Sequence, residues 1–274
     1  MTGGRALGRT PPGPAKLMSK NLVIIPAYNE EDTIEEVVRR SLRHADVSVT
    51  DDGSRDRTPE ILRNLAKETS SNGSANKLHV ITHEKSTHIP QGLQDGLRFG
   101  MENGYEFFVT MDAGLSHDPD VLPEFFGQDP SWDVVIGRRA NKARVPVYRK
   151  IISYSAAHVV NYALTPSFFN FRGLGLKDCT SGFRRYSRRA ARCIAEAELQ
   201  SRSFDFHMEA LGLAVRGGMS ATEIPISYVF SNSSFNRKVL KDALRYAWIL
   251  LKHKNGKNES GKNENGRRFR GADS

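Results

Sequence analysis

The chain has 274 residues, 38% of them hydrophobic, which suits one large domain with appendages. No apolar run approaches the ~20 residues that a bilayer-spanning helix needs, and two cysteines, Cys179 and Cys193, exclude a disulfide framework and fit a reducing, cytoplasmic compartment. The 40 Lys and Arg against 31 Asp and Glu leave a net charge of +9, which favours anionic partners (phosphates, an acidic membrane surface, nucleic acid) without choosing among them.

Residues 1–19, rich in Gly, Pro and Arg, read as a disordered lead-in, and the low-complexity residues 254–274 as a disordered polar tail. Between them, over 20–253, apolar runs alternate with helical patterns. "NLVIIP" reads as a buried strand, followed by the helix "EEDTIEEVVRRSLRHA" with Ile34, Val37, Val38 and Leu42 on one face. "DVSVT" predicts a second strand and "RTPEILRNLAKET" its helix; "KLHVITHE", "QGLQDGLRFGMENG" and "YEFFVTMD" continue as strand, helix, strand. "PDVLPEFF" predicts a short helix and "DVVIGRR" a fifth strand. The second half alternates less regularly. It reads as a helix over Tyr148 to Leu164, a loop, an extended "CTSGFRRYS", the helices "RRAARCIAEAEL" and "FDFHMEALGLAVRGG", the strand "SATEIPISYVF" and a closing amphipathic helix "KVLKDALRYAWILLKHK". Such alternation predicts a single α/β domain on a mainly parallel sheet, with its site at the carboxyl ends of the strands.

That rule selects four segments. "IPAYNEED" has no glycine between Asn21 and Asp52, so a dinucleotide-binding Rossmann turn is excluded; Tyr28 instead offers a flat ring to a base or sugar, and Glu30 an acceptor. In "DDGSRDRT", Asp51 or Asp52 can accept from a nucleobase N–H or ribose hydroxyls, although Asp and Gly also favour turns on their own. In "MDAGLSHDPD", Asp112 leaves a strand where a divalent cation can bind, because Mg²⁺ takes few protein carboxylates when phosphates and waters complete its shell. Ser116 can add an oxygen, while His117 shapes the turn. "GRRANKARVPVYRK" concentrates cations, of which Arg139 and Arg149 are the candidates for bidentate phosphate contact and the others a solvated face. Later, "DCTSGFRRYSR" combines Asp178, Thr180, Ser181, Gly182 and Arg184. It lacks the Gly-x-Ser-x-Gly elbow of a serine hydrolase, Cys179 is a weak thiol-nucleophile signal, and no Cys/His spacing suits zinc.

Taken in order, "IPAYNEEDTIEEVV", "DDGSRDRT", "MDAGLSHDP", "GRR", "DCTSGFRRY", "FHMEAL" and "EIPISY" resemble glycosyltransferase family 2, in its dolichol-phosphate mannose synthase and polyprenyl-phosphate glycosyltransferase branch. The match spans about Asn21 to Lys238. It implies a GT-A fold, the Rossmann-like fold of nucleotide-diphospho-sugar transferases, and sugar transfer with inversion using Mg²⁺ or Mn²⁺. By the same resemblance Pro26, Ala27, Tyr28, Glu30 and Asp51 or Asp52 hold the nucleoside. Asp112 and Ala113 meet the metal and sugar-diphosphate. Arg139, Arg149 and Ser153 face phosphates, Arg237 falls where a lysine contacts the donor, and Asp178 and Arg184 border the acceptor.

Three departures stand out. The family's Asp-x-Asp is here Asp112-Ala113-Gly114. "STHIPQGL" replaces a glycine-rich segment, with His88 and Pro90 at glycine positions, and "FSNSSFNRK" carries Ser231 where an arginine is expected. The favoured activity is transfer from a GDP-mannose or UDP-hexose type donor to a polyprenyl or dolichyl phosphate at a membrane surface, with Asp112 and Arg139 stabilising the departing diphosphate. A saccharide hydroxyl acceptor would instead need a base, for which Asp178 is the first candidate and Glu209 the second. A catalytically impaired nucleotide-sugar binder is a third reading. Nucleic acid is not the expected partner, because the cations cluster at strand exits and form no stripe with aromatics between them.

Overall fold

The computed structural model describes residues 20–141, 157–158, 160–164, 174–228 and 245. The expected lead-in, the tail, most of the helix over Tyr148 to Leu164 and all of the closing helix except Arg245 lie outside the described residues, as do Arg149, Ser153, Ser231 and Arg237.

The apolar run Leu22–Ile25 is the centre of β1 (Asn21–Ala27), and all four side chains are fully buried. They alternate between two hydrophobic clusters, Leu22 and Ile24 in one and Val23 and Ile25 in the other, because successive strand side chains point to opposite faces. A strand covered on both faces needs such an unbroken run, and each buried Val, Leu or Ile contributes about 1.5–3 kcal/mol. The other strands are β2 (Asp46–Asp51), β3 (Leu78–Thr82), β4 (Phe107–Thr110), β5 (Val134–Asn141), β6 (Arg184–Ser187) and β7 (Ala221–Ser227). They form one sheet in the order β3-β2-β1-β4-β6-β5-β7. The pairs β1–β2, β1–β4, β2–β3 and β5–β7 are parallel, whereas β6 is antiparallel to both β4 and β5. Six strands therefore share one direction and β6 alone opposes them.

One face of the sheet is covered by α1 (Ile34–Ser41), α2 (Thr58–Ser71) and α4 (Leu122–Phe126), the other by α3 (Ile89–Glu102), α5 (Arg188–Ala195) and α6 (Phe206–Arg216). The amphipathic pattern of α1 buries Ile34, Val37 and Val38 as expected. The helix starts later than its pattern because residues 30–33 close a turn in which the Thr33 and Ile34 N–H groups both reach the Glu30 carbonyl. On α3, a Cβ at Gly96 would lie 2.4 Å from Ile24 Cγ2. Glycine costs about 1 kcal/mol in a helix interior relative to alanine, and here it lets the helix seat directly on β1. No helix among the described residues is long and apolar enough to cross a membrane.

The direction of β6 decides what meets at the rim. Thr110, at the carboxyl end of β4, is the register partner of Arg184, where β6 begins. The Asp178–Gly182 turn is thereby delivered beside the Asp112 turn, and the Thr110 hydroxyl donates to the Gly182 carbonyl at 2.8 Å.

Candidate active site

At the exit of β1, Pro26 is half-buried, Ala27 is buried and Tyr28 is 47% exposed, its ring open to a ligand. Asn29 takes φ 54°, a left-handed conformation that Asn tolerates better than most residues. It ties this loop to the β2 exit: its N–H donates to Ser54 Oγ at 2.9 Å, and its Oδ1 accepts from the Arg55 N–H at 2.8 Å. Glu30 accepts from the Thr33 hydroxyl at 2.9 Å. Burial raises its carboxyl above the ordinary value, the Thr33 bond opposes this, and the charge of Asp112 adds to the rise.

The two aspartates of "DDGS" have different fates. Asp52 Oδ1 accepts from His83 Nδ1 at 2.8 Å, the Thr87 N–H at 2.7 Å and the Thr87 hydroxyl at 2.8 Å; Oδ2 accepts from the Ser86 hydroxyl at 2.7 Å and the His88 N–H at 3.0 Å. Burial works against its ionisation, but these donors win and hold the carboxyl below its ordinary range. Asp52 is therefore an anchor for the loop that replaces the glycine-rich segment, and the nucleoside role read for it is corrected. Asp51 remains the candidate. Its Oδ1 accepts from the Ser54 N–H at 3.0 Å, and Oδ2 makes no hydrogen bond among the described residues.

Asp112 stands at the exit of β4 with its side chain 38% exposed. Its N–H donates to His117 Nδ1 at 3.2 Å, and His117 is buried and stacked on Phe183 with ring centroids 5.1 Å apart. Burial depresses the His117 pKa, so the ring is a neutral acceptor that fixes the Asp112 backbone. Ala113 is buried, Ser116 is half-buried, and the space a side chain would take at Gly114 is empty within 4 Å. No group of three His, Cys, Asp or Glu among the described residues could hold a metal ion. The chain thus offers one open carboxylate with a hydroxyl four residues on, a donor set that suits a cation only when phosphate oxygens fill the rest of its shell.

The acceptor side needs three corrections. Asp178, 1% exposed, receives Arg139 Nε and Nη2, each at 2.7 Å, and Nη2 also reaches Thr180 Oγ1 at 2.6 Å. Burial opposes ionisation of Asp178, but the guanidinium overrides it and holds the carboxyl far below the usual carboxylate range. A carboxylate so held is a poor proton acceptor, so Asp178 is not a general base. Arg139 is consequently half of a buried pair, with only Nη1 lacking a hydrogen bond among the described residues. Glu209, the reserve base, is 4% exposed and accepts the Gln200 and Ser201 N–H groups at 2.9 and 2.8 Å. Arg184 is fully buried and donates to the carbonyls of Ser181, His207 and Cys179 at 2.7, 2.5 and 2.7 Å, so it braces the turn from beneath and does not border an acceptor. Cys179 is buried and its thiol is pushed up to about 12 by burial, which removes it as a thiolate nucleophile.

One neighbour of Asp112 escaped the sequence reading. His207 on α6 is fully enclosed, its Nδ1 lacks a hydrogen-bond partner among the described residues, and burial holds the ring neutral. A Cβ at Gly182 would lie 2.8 Å from His207 Nε2 and 3.3 Å from Asp112 Oδ1. Glycine at 182 thus keeps the space between the carboxylate and this imidazole open. Nothing in "FHMEAL" distinguishes His207 from a core histidine until β6 places Gly182 above it.

The sheet is thus seven-stranded and mainly parallel, with an open carboxylate at its rim. A family model described as glycosyl transferase family 2 matches residues 22–195, more than half of the chain, and the chain belongs to that family. It is a glycosyltransferase of the dolichol-phosphate mannose synthase-like branch. An undecaprenyl-phosphate mannosyltransferase of Micrococcus luteus is 30% identical over 215 residues, covering 76% of this chain and 83% of its own. A polyprenol monophosphomannose synthase of Mycolicibacterium smegmatis is 28% identical over 225 residues, covering 79% and 80%. Among solved structures, glucosyl-3-phosphoglycerate synthase of Mycobacterium tuberculosis, in complex with Mn²⁺, uridine diphosphate and glucosyl-3-phosphoglycerate, gives a TM-score of 0.59 at 17% identity over 87% of this chain and 80% of that one. A mannosyltransferase of Pyrobaculum calidifontis, in complex with GDP-Man and Mn²⁺, gives 0.53 at 17% identity over 89% and 79%. At such identities these two structures establish the fold.

Proposed function

We propose that the chain transfers a sugar, with inversion, from a nucleoside-diphosphate sugar to a polyprenyl phosphate at an anionic membrane surface. The observation that carries the acceptor assignment is that both carboxylates offered by the sequence as bases are consumed: Asp178 by Arg139, and Glu209 by two backbone N–H groups. A phosphate acceptor is already an anionic nucleophile and needs no strong base. The named relatives that act on undecaprenyl phosphate and polyprenol phosphate support the same choice.

In this reading Tyr28 and Asp51 hold the nucleoside, and Asp112, with Ser116 in support, holds Mg²⁺ or Mn²⁺ against the diphosphate. When bound, the cation neutralises charge that grows on the leaving diphosphate. Asp112 orients the diphosphate, and His117 keeps the Asp112 backbone fixed while it does so. Arg139, its charge balanced by Asp178, holds the turn before β6 in place. The lysine- and arginine-rich stretch from Arg144 to Lys150 is the proposed contact with anionic lipid. The test is transfer of radiolabelled sugar to polyprenyl phosphate with Mn²⁺. Asp112→Ala should lower turnover on the order of 10²–10³-fold, the cost of losing a group aimed at developing charge. Undiminished transfer by that variant, or label passing only to a soluble saccharide, refutes the assignment.

A further inference from the structure

One buried side chain beside Asp112 has no part in the proposed mechanism. His207, on the first turn of α6, is 3% exposed, and its Nδ1 has no hydrogen-bond partner among the described residues. The other edge of the ring faces Gly182, where a Cβ would lie 2.8 Å from His207 Nε2, 3.1 Å from Cε1 and 3.3 Å from Asp112 Oδ1. The nitrogen and the carboxylate oxygen therefore border one small space and are at most 6.1 Å apart. Asp112 Oδ2 has the His117 ring at 3.6 Å, whereas Oδ1 accepts no hydrogen bond among the described residues.

The ring is fixed where it stands. Arg184 Nη1 donates to the His207 carbonyl at 2.5 Å, and Phe206 meets the imidazole edge-on with ring centroids 5.5 Å apart. Burial keeps the ring neutral, so it carries a single N–H. On Nδ1 that N–H would be a donor left unmade in the core, which forfeits its desolvation cost. On Nε2 it points into the space shared with Asp112. A metal-ligating histidine gives its second N–H to an acceptor, and Nδ1 has none among the described residues. His207 therefore fits a hydrogen-bond donor and not a ligand of the cation.

We propose that His207 is a positioning residue for Asp112: its Nε2–H donates to one water that also bonds Asp112 Oδ1, and so holds the carboxylate in the orientation that receives the cation. Two hydrogen bonds through one water span about 5.5 Å, within the limit the structure sets, and two polar partners suffice for such a water. The proposal rests on the assignment of Asp112 to the cation. The test is calorimetric binding of GDP and of UDP to the full chain, with and without Mn²⁺, beside the melting temperature. His207→Leu, of similar size, should weaken the Mn²⁺-dependent part about tenfold, the lower end of what an outer-shell partner contributes to a metal site. Neither the Mn²⁺-free affinity nor the melting temperature should fall. His207→Gln restores a side-chain N–H and should recover most of the loss. Gly182→Ala puts a methyl group into the shared space; it should act like His207→Leu and add little to it in the double variant. Wild-type affinity in His207→Leu, a loss that His207→Gln does not recover, or a loss that only follows the melting temperature overturns the role of His207. Should His207→Leu fail to fold, Gly182→Ala decides, and an unchanged Mn²⁺ dependence there overturns it equally. Asp112→Ala separates the two assignments. If Mn²⁺ dependence survives that variant, the cation site itself is refuted; if it is lost there but kept in His207→Leu, only the role of His207 is.

Discussion

Gly114 occupies the position at which the family's second metal-binding carboxylate is expected, and nothing lies within 4 Å of where its side chain would be. The missing carboxylate is therefore a matter of chemistry, not of crowding. Gly114→Asp should be accommodated without repacking, and it should tighten Mn²⁺-dependent binding of nucleoside diphosphate by on the order of tenfold, about 1.4 kcal/mol. Calorimetry with and without Mn²⁺ measures this, and an unchanged metal dependence would remove Asp112 from the metal site. At this scale the sequence was legible wherever a residue's role follows from its place on the chain. Asp112 ends a strand, and Tyr28 ends another. It misled wherever the role depends on a partner far away. Asp178 and Arg184 sit six residues apart in one motif, yet one is neutralised by Arg139 from β5 and the other by carbonyls from the turn and α6. No local pattern encodes those partners.

The loops between elements are held by polar clasps, and two of them carry predictions. The Arg139–Asp178 pair joins β5 to the turn before β6. Asp178→Asn strands a largely buried guanidinium and should cost about 3–5 kcal/mol, read as a fall in the denaturation midpoint. Because the folded-state carboxyl is depressed, its contribution is complete above the ordinary aspartate value of about 3.9 and is lost as pH falls through the lower folded value. The gap between wild type and Asp178→Asn should therefore narrow on acidification below about pH 4, and a gap constant with pH would contradict the pairing. The second clasp lies beside α3. His83 presents Nδ1 to Asp52 at 2.8 Å and Nε2 to Asp95 at 3.1 Å, and Arg98 Nη1 also reaches Asp95, at 2.9 Å. It links the β2 exit to α3 through residues 86–88, which the sequence marked only as a departure from the glycine-rich segment. His83→Gln, whose single amide nitrogen cannot span Asp52 and Asp95 as the two ring nitrogens do, should raise the donor KM several-fold with kcat little changed; a loss confined to kcat would place His83 elsewhere in the reaction.

Across the whole molecule, the alternation of strands and helices foretold a mainly parallel sheet and the rim at which candidate residues collect. It did not foretell that β6 runs backwards, because an extended segment reads alike in either direction. Without that reversal, Gly182 would not stand between Asp112 and His207. The net charge of +9 is a property of the entire chain. Peripheral docking on vesicles containing phosphatidylglycerol should therefore weaken steeply as salt shortens the Debye length from about 10 Å at 0.1 M to about 3 Å at 1 M. Retention at high salt would favour an apolar mode of attachment, and no binding at low salt would count against membrane docking.

The reversed strand also sets an order of assembly. β1 to β4 lie within residues 21–110 and can pair among themselves as soon as that stretch leaves the ribosome. β5, although next in the chain, has no neighbour until β6 arrives some fifty residues later to sit between it and β4. Pairing across such a separation is slow, so the outer edge of β4 waits unprotected during synthesis. The part of the rim that needs both Asp112 and Gly182 is assembled only once β6 has docked on β4.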